Sequence, residues 1–267
     1  MRLSTSGLLL ALSLLMQVGI CAAEDVLRVA YFNYPPHITT DKNGKPYGPL
    51  VDVWEQHMVK HGGFKIKWVG PIPFVRLLSD MKTGEQADVW AQLVGNKERF
   101  EWYDFPPAQI CEARQWLYVR ADEPLAVITG VEDLTGKTLG KLTGGYLPPF
   151  MDENKDKLSF EEVAGDNAAE QTVKKLIGGR IWGGYFVMSE VLKYAASKIG
   201  RSDEIKGLAF PGGEKTIACS PAMWRGLDPA MRARVADAAD KSWSSKEYNY
   251  LEMTDEFIKN APSHVGR

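Results

Sequence analysis

Short runs of apolar, β-branched and aromatic residues alternate along this chain with longer stretches in which apolar positions return every three or four residues. Leu27 to Phe32 is the first short run and reads as a buried strand. Pro35-Pro36 forbids a helix and holds Tyr34 extended at the strand's C-terminal end. Asp41-Lys42-Asn43-Gly44 supplies a turn, and the spacing of Leu50, Trp54 and Met58 predicts a helix. Lys65 to Val69 reads as a second strand, Phe74, Leu77, Leu78 and Met81 as one face of a second helix, and Ala87 to Val94 as a third strand. This βαβαβ order implies a parallel sheet, because parallel strands need long crossovers. Gln115 to Arg120 is a further strand, bounded by Pro106-Pro107 and Glu123-Pro124. The pattern then repeats: a strand at Lys137 to Leu142, a helix lined by Ala169, Val173, Leu176 and Ile177, a strand at Arg180 to Phe186, a helix lined by Met188, Val191, Leu192 and Ala195, and a strand at Glu204 to Phe210.

Two such halves joined by one extended crossing predict an α/β protein of two lobes, each a mostly parallel sheet flanked by helices, with a cleft between them. Thr216 to Ser220 reads as a return strand. Asp228-Pro229 is an N-cap followed by proline at the first helical position, and Met231, Val235 and Ala238 give the face of the helix that follows. A last helix around Tyr248, Leu251 and Phe257 is expected to pack back on the first lobe.

Residues 1–23 stand outside this pattern. One positive charge at Arg2, an apolar run from Leu8 to Leu15 and the small-residue site Cys21-Ala22-Ala23 form an export signal. Beyond it no apolar run approaches the roughly 20 residues that span a bilayer, so the mature chain from Glu24 is expected to be soluble. The formal net charge of -2 is spread over interspersed acids and bases, which offers no basic stripe for nucleic acid and no polybasic membrane face. Cys111 and Cys219 are the cysteines left after cleavage. In an oxidising compartment they either pair or stay as two buried thiols, and the residues leave both open. No cofactor is called for, and a monomer is the default.

Several stretches resemble one family. Tyr34-Pro35-Pro36-His37, Asn43-Gly44-Lys45 and Gly48-Pro49-Leu50-Val51-Asp52-Val53 are similar to the opening of the bacterial extracellular solute-binding proteins of family 3, the amino-acid-binding type. The run Asp88 to Pro107 resembles the family's arginine motif, with Glu98-Arg99, Phe105 and Pro107 matching its close. Pro73-Phe74-Val75-Arg76 is similar to a P-W-x-R-A motif, with phenylalanine for tryptophan. Asp133-Leu134-Thr135-Gly136-Lys137 and Thr143-Gly144-Gly145 resemble the opening of the second lobe. The resemblance implies a periplasmic binding protein of type II, with lobe one formed by 24–112 plus 213–267 and lobe two by 113–212. It implies capture of a small molecule by lobe closure and delivery to an ABC permease.

The resemblance also places candidate ligand contacts, each with its chemistry. Arg99 corresponds to the arginine that grips a ligand carboxylate, and a guanidinium suits that task because its fork bonds both oxygens and keeps its charge. Tyr34 and Phe74 correspond to aromatics that sandwich an apolar or planar part. Arg76 is a second candidate cation. Thr143, Gly144 and Gly145 follow a strand, and a glycine turn that opens a helix there would offer backbone N–H groups to anionic oxygens.

Departures narrow the ligand. Relatives that hold an α-amino group place an aspartate where Val187 stands, within Gly179-Arg180-Ile181-Trp182-Gly183-Gly184-Tyr185-Phe186-Val187. Hydroxyls that precede the motif arginine are replaced by Gln92, Leu93, Val94 and Gly95. An ammonium buried without an anionic or hydrogen-bonding partner costs several kcal/mol, so the expected solute is small and polar or carboxylate-bearing, an organic acid or aromatic carboxylate in preference to an amino-acid-like molecule, with Trp182 and Tyr185 as further contacts. His57 and His61 lie one helical turn apart with no third ligand nearby, so no metal site is assigned. Two alternatives stay in view: a protein-binding accessory factor with a degenerate cleft, and a periplasmic enzyme resembling cyclohexadienyl dehydratase, for which His37 and Glu98 are candidate acids.

Overall fold

The structure, a computed structural model, describes residues 25–261. The predicted export signal and Cys21 lie outside the described residues. In chain order the strands are β1 (Val26–Ala30), the short pair β2 (Thr39–Thr40) and β3 (Pro46–Tyr47), β4 (Lys65–Val69), β5 (Val89–Leu93), β6 (Tyr103–Asp104), β7 (Cys111–Ala113), β8 (Leu117–Arg120), β9 (Thr138–Leu142), β10 (Ser159–Val163), β11 (Gly183–Tyr185), β12 (Ile205–Leu208) and β13 (Ile217–Trp224). They form two principal sheets, ordered β4-β1-β5-β13-β6 and β10-β9-β11-β8-β12, with β7 on the remaining part of β13. This is the two-lobed α/β arrangement that the repeated pattern predicts.

Each sheet is parallel through three strands and antiparallel where the chain crosses between lobes. β4, β1 and β5 run parallel, as do β10, β9 and β11. β13 joins β5 antiparallel, and β8 joins β11 antiparallel. Two details differ from the sequence expectation. The strand expected at Glu204 to Phe210 does not extend the parallel set, because β12 pairs antiparallel with β8, which already occupies the place beside β11. β10 was not foreseen, since Ser159-Phe160-Glu161-Glu162-Val163 is an edge strand whose two glutamates are poor strand formers.

The helices follow their apolar spacing. Leu50, Trp54 and Met58 are all fully buried, in a helical run of three segments, Pro49–Asp52, the π-helical Val53–Met58 and Val59–Gly62. The Trp54 indole N–H donates to the Ala91 carbonyl at 2.9 Å, which satisfies the one polar atom of a buried side chain. Asp228 accepts a hydrogen bond from the Met231 N–H at 3.0 Å, the expected cap of the helix Pro229–Ser244. In the last helix, Tyr250–Asn260, the fully inward positions are Tyr250, Thr254 and Ile258. Leu251 and Phe257 are only half-buried. Phe257 lies instead between Tyr47 and Tyr194, with ring centroids 6.0 and 6.1 Å away.

Two stretches carry the chain between the sheets, and they run side by side. Ile217, Ala218 and Cys219 of β13 face Ala113, Glu112 and Cys111 of β7. The structure joins Cys111 to Cys219 in a disulfide, with Cα atoms 5.1 Å apart, and so resolves the alternative that the sequence leaves open. The carboxyl ends of β1 and β5 in one lobe and of β9 and β11 in the other lead into the lining of one enclosed space, and such strand ends are where open α/β sheets hold ligands.

Candidate functional site

The enclosed space between the lobes is lined on one side by Phe32, Tyr34, Phe74, Gln92, Leu93, Val94 and Arg99, and on the other by Lys141, Leu142, Gly145, Tyr146, Tyr185, Phe186 and Val187. Measured as the space open to the centres of water-sized molecules it is about 30 Å³. The lobes are therefore drawn close together. Three aromatic rings build the apolar wall: Phe32 stands 4.8 Å from both Tyr34 and Phe74, and Phe74 stands 5.4 Å from Trp90 beneath it.

Arg99 sets the electrostatics. It is only 5% exposed, at the start of a short helix, Arg99–Trp102, whose Arg99 N–H is held by the Asn96 side chain at 2.8 Å. Its guanidinium donates to the Val94 carbonyl at 2.6 Å and to the Gly144 carbonyl at 3.1 Å. It makes no ion pair with any acid among the described residues. Burial pulls its pKa down to about 10, against the opposing influence of Tyr103, Glu98, Tyr146 and Tyr34, and the group still carries its charge at neutral pH. Lys141, the other cation of the lining, is already paired with Glu162 at 2.5 Å. Burial raises the hydroxyls of Tyr34, Tyr146 and Tyr185, so all three are neutral. The Tyr185 hydroxyl is buried without a hydrogen-bond partner.

Contacts between the lobes close the space on two sides. Arg99 reaches across to Gly144, and the Asn33 amide donates to Asp166 at 3.0 Å. Gly144 has φ of 71°, and a Cβ there would come within 3.0 Å of Leu78 and 3.7 Å of Phe74. A side chain at this position would be strained and would hold the lobes apart.

Of the predicted contacts, Tyr34, Phe74, Arg99, Gly145 and Tyr185 line the space and Gly144 touches Arg99 through its carbonyl. Three do not line it. Arg76 is exposed and its Nε bonds Asp80 at 3.0 Å, one turn along the same helix. Trp182 packs on the second lobe's core, donates to Glu123 at 2.7 Å and carries Lys137 over its ring at 3.8 Å. Thr143 turns its hydroxyl and its N–H to the Val163 carbonyl. The glycine turn also opens no helix directly, since the next one begins at Pro149. The Gly145 N–H is taken by Leu142, so the turn offers Arg99 a carbonyl rather than offering an anion its amides.

Gln92, Lys141, Tyr146 and Phe186 are lining residues that were not singled out as contacts. Gln92 and Val187 were noted only as departures, and both face the space. His37 is fully buried behind Tyr34, with Nδ1 3.0 Å from the Tyr250 hydroxyl, and burial lowers its pKa to about 3. Neither His37 nor the exposed Glu98 lines the space. His57 meets Glu247 at 3.2 Å, and among the described residues no cluster of three His, Cys, Asp or Glu could hold a metal ion.

A two-lobed α/β fold closing on a buried cation and aromatic walls defines a class of small-molecule receptor, and comparison with known proteins agrees. Residues 27–257 match the family of bacterial extracellular solute-binding proteins, family 3, and the chain belongs to it. Among solved structures it is similar to a histidine kinase sensor domain with similarity to periplasmic binding proteins (TM-score 0.68, 19% identity, 88% of this chain and 96% of that one). It is also similar to an amino acid ABC transporter substrate-binding protein of Streptococcus pneumoniae bound to L-arginine (TM-score 0.67, 18% identity, 88% and 94%). An ancestral arginine-binding protein bound to glutamine is a third (TM-score 0.66, 20% identity, 88% and 98%). At these identities the likeness speaks for the fold. No curated protein matches the chain significantly. Among the described residues no helix is long and apolar enough to cross a membrane.

Proposed function

We propose that this chain is a periplasmic receptor that captures a small carboxylate-bearing solute between its lobes and delivers it to an ABC importer. The observation that carries the reading is Arg99, a cation buried in the wall of the interlobe space and bonded to backbone carbonyls, with no ion-paired acid among the described residues. A buried charge without a counter-charge is costly, and a solute carboxylate would supply what the protein withholds. Phe32, Tyr34 and Phe74 would hold an organic or aromatic body beside it. The lobe limits we assign, 24–112 plus 213–267 and 113–212, fall in the stretches that cross between the sheets, and the working unit is a monomer. Binding energy favours the closed state, which the permease would read.

A second reading, an accessory factor whose cleft has degenerated and whose partner is a protein, draws on the small size of the space. The reading as an enzyme resembling cyclohexadienyl dehydratase gains no carboxylate or imidazole from the lining. A thermal-shift screen of the refolded mature chain against organic acids, aromatic carboxylates, amino acids and polyamines separates the first two. At about 100 times its dissociation constant a ligand adds roughly 2.7 kcal/mol, a shift of several degrees at this size. Selective shifts with carboxylates that vanish in Arg99→Ala support the receptor. No shift with any compound would favour the accessory factor.

A further inference from the structure

Two polar groups in the lining have no part in gripping a carboxylate, and both lack partners. Tyr185 is 1% exposed. Its ring is fixed in the second lobe against Phe210, centroids 5.9 Å apart at 76°. Its hydroxyl end is the end that feels Tyr34 and Tyr146, both of which line the space, and that oxygen has no hydrogen-bond partner. Gln92 is 5% exposed at the end of β5 and also lines the space, and its side-chain amide makes no hydrogen bond among the described residues. A buried polar group left unpaired destabilises the state that buries it. The Tyr185 hydroxyl is such a group, and the unpaired Gln92 amide faces the same space from the opposite lobe, so the two together form a recognition device.

The charges around them say which kind of group they would receive. The ionised side chains of the lining are Arg99 and Lys141, both positive, and no aspartate or glutamate is among them. An ammonium placed among these residues would meet the Arg99 cation and Lys141, whose Glu162 partner is already engaged, while Asp166 lies in the adjoining part of the cleft and is bonded by Asn33. A hydroxyl or a carbonyl carries no charge and bonds both partners, because a tyrosine hydroxyl and a glutamine amide each donate and accept.

We propose that the solute carries an uncharged oxygen, as a hydroxyl or a carbonyl, next to its carboxylate, and that Tyr185 and Gln92 bind it. The site then takes hydroxy or oxo acids and rejects the corresponding amino acids. The proposal rests on the carboxylate reading given above and adds to it the identity of the second anchor.

Calorimetry with two matched series tests it: 3-phenylpropanoate and 4-methylpentanoate, each with its 2-hydroxy, 2-oxo and 2-amino derivatives, titrated into the refolded mature chain. The expected result is that the hydroxy or oxo acid binds about tenfold or more tighter than its parent, with the amino acid weaker than both. In Tyr185→Phe and in Gln92→Leu the ratio of derivative to parent falls towards one. Should either variant fail to fold, the comparison within the wild-type series still decides. An amino acid that binds tightest overturns the proposal, and so does a series in which parent and derivatives bind alike. If that flat series is abolished by Arg99→Ala, the carboxylate reading survives alone. If it is indifferent to Arg99→Ala, or if no acid of either series binds, both readings fall.

Discussion

The two sides of the junction between the lobes are built in opposite ways, and a pair of arginines makes the contrast sharp. On the cleft side Arg99 is buried with carbonyls only, and Tyr185 and Gln92 beside it lack partners. On the hinge side Arg114 meets Glu190 of the second lobe at 3.3 Å and Asp255 of the last helix at 2.8 Å, with Lys193 adding a contact to Asp255 at 3.2 Å. The Cys111–Cys219 bridge lies on the same side, between the crossing strands. Burial lowers Arg99, whereas at Arg114 burial is outweighed by the hydrogen bonds and charges of Asp255 and Glu190, and the pKa rises. The hinge side carries its own ion pairs and holds the lobes together, although Glu190 Oε2 there is itself buried without a partner. The other is complete only when something enters it.

Four experiments press on that contrast. The largest effect is expected on the hinge side. Replacing Cys111 and Cys219 together by serine opens a loop of 108 residues in sequence and should lower stability by about 2–5 kcal/mol, read from urea unfolding. An unchanged midpoint would count against the bridge. Next is Arg99→Ala, which removes the cation from the cleft. It should weaken binding of an accepted carboxylate by about 2 kcal/mol or more, while the unfolding midpoint of the solute-free protein moves little because no ion pair is broken. Equal loss of both would make Arg99 a structural residue like Arg114.

The third experiment concerns the carboxylates on Arg114, whose directions disagree. Arg114 is raised by its partners, yet Glu190 is itself raised above its ordinary 4.5. Burial decides at Glu190, which is 2% exposed and shares an arginine turned more closely to Asp255. As pH rises above about 4.5, the unfolded chain releases this proton before the folded one does. Stability therefore falls with rising pH across the window up to the raised value, and Glu190→Gln should flatten that slope. Asp255 runs the other way. Burial would raise it, but bonds from Arg114 and Lys193 win and hold it below 3.8. Its contribution is present above that value and lost as pH falls through the lowered one, so Asp255→Asn should flatten the acid limb. Identical pH profiles for wild type and both variants would contradict the assignment. Glu190→Ala, which removes one of the two carboxylates on Arg114 and leaves Asp255, should cost about 1–3 kcal/mol. The smallest effect is expected from Asn33→Ala, which removes one exposed bond between the lobes. Affinity should drop two- to threefold, about 0.5 kcal/mol, through faster release in stopped-flow traces. A change of tenfold or more would mean that this edge contact, rather than the cleft interior, governs closure.

Much of this architecture is legible in the chain because burial writes a period into it. Leu50, Trp54 and Met58 at spacing four, and the capped start at Asp228-Pro229, needed no tertiary information. The misplacements were also open to periodic reasoning. Arg76 lies two residues from Phe74, about 200° around a helix, so both cannot face one cleft. Trp182 and Tyr185 are three apart around a short strand, where side chains alternate, so they point to opposite faces. The roles of Gln92 and Tyr146 could not be read that way, because each depends on which segment of the other lobe stands opposite. The same holds for Gly144, whose carbonyl becomes a partner for Arg99 only after a crossing of 45 residues. A turn's local sequence shows that it is tight but not whether a distant side chain will meet its N–H or its C=O.

The bond from Arg99 to the Gly144 carbonyl also makes the backbone of the second lobe an internal competitor of any incoming solute. A carboxylate that comes to Arg99 must displace the Gly144 carbonyl or share the guanidinium with it. The strength of that one intramolecular contact is therefore subtracted from the affinity for any anion, and weakening it would tighten binding without adding a single new contact to the solute.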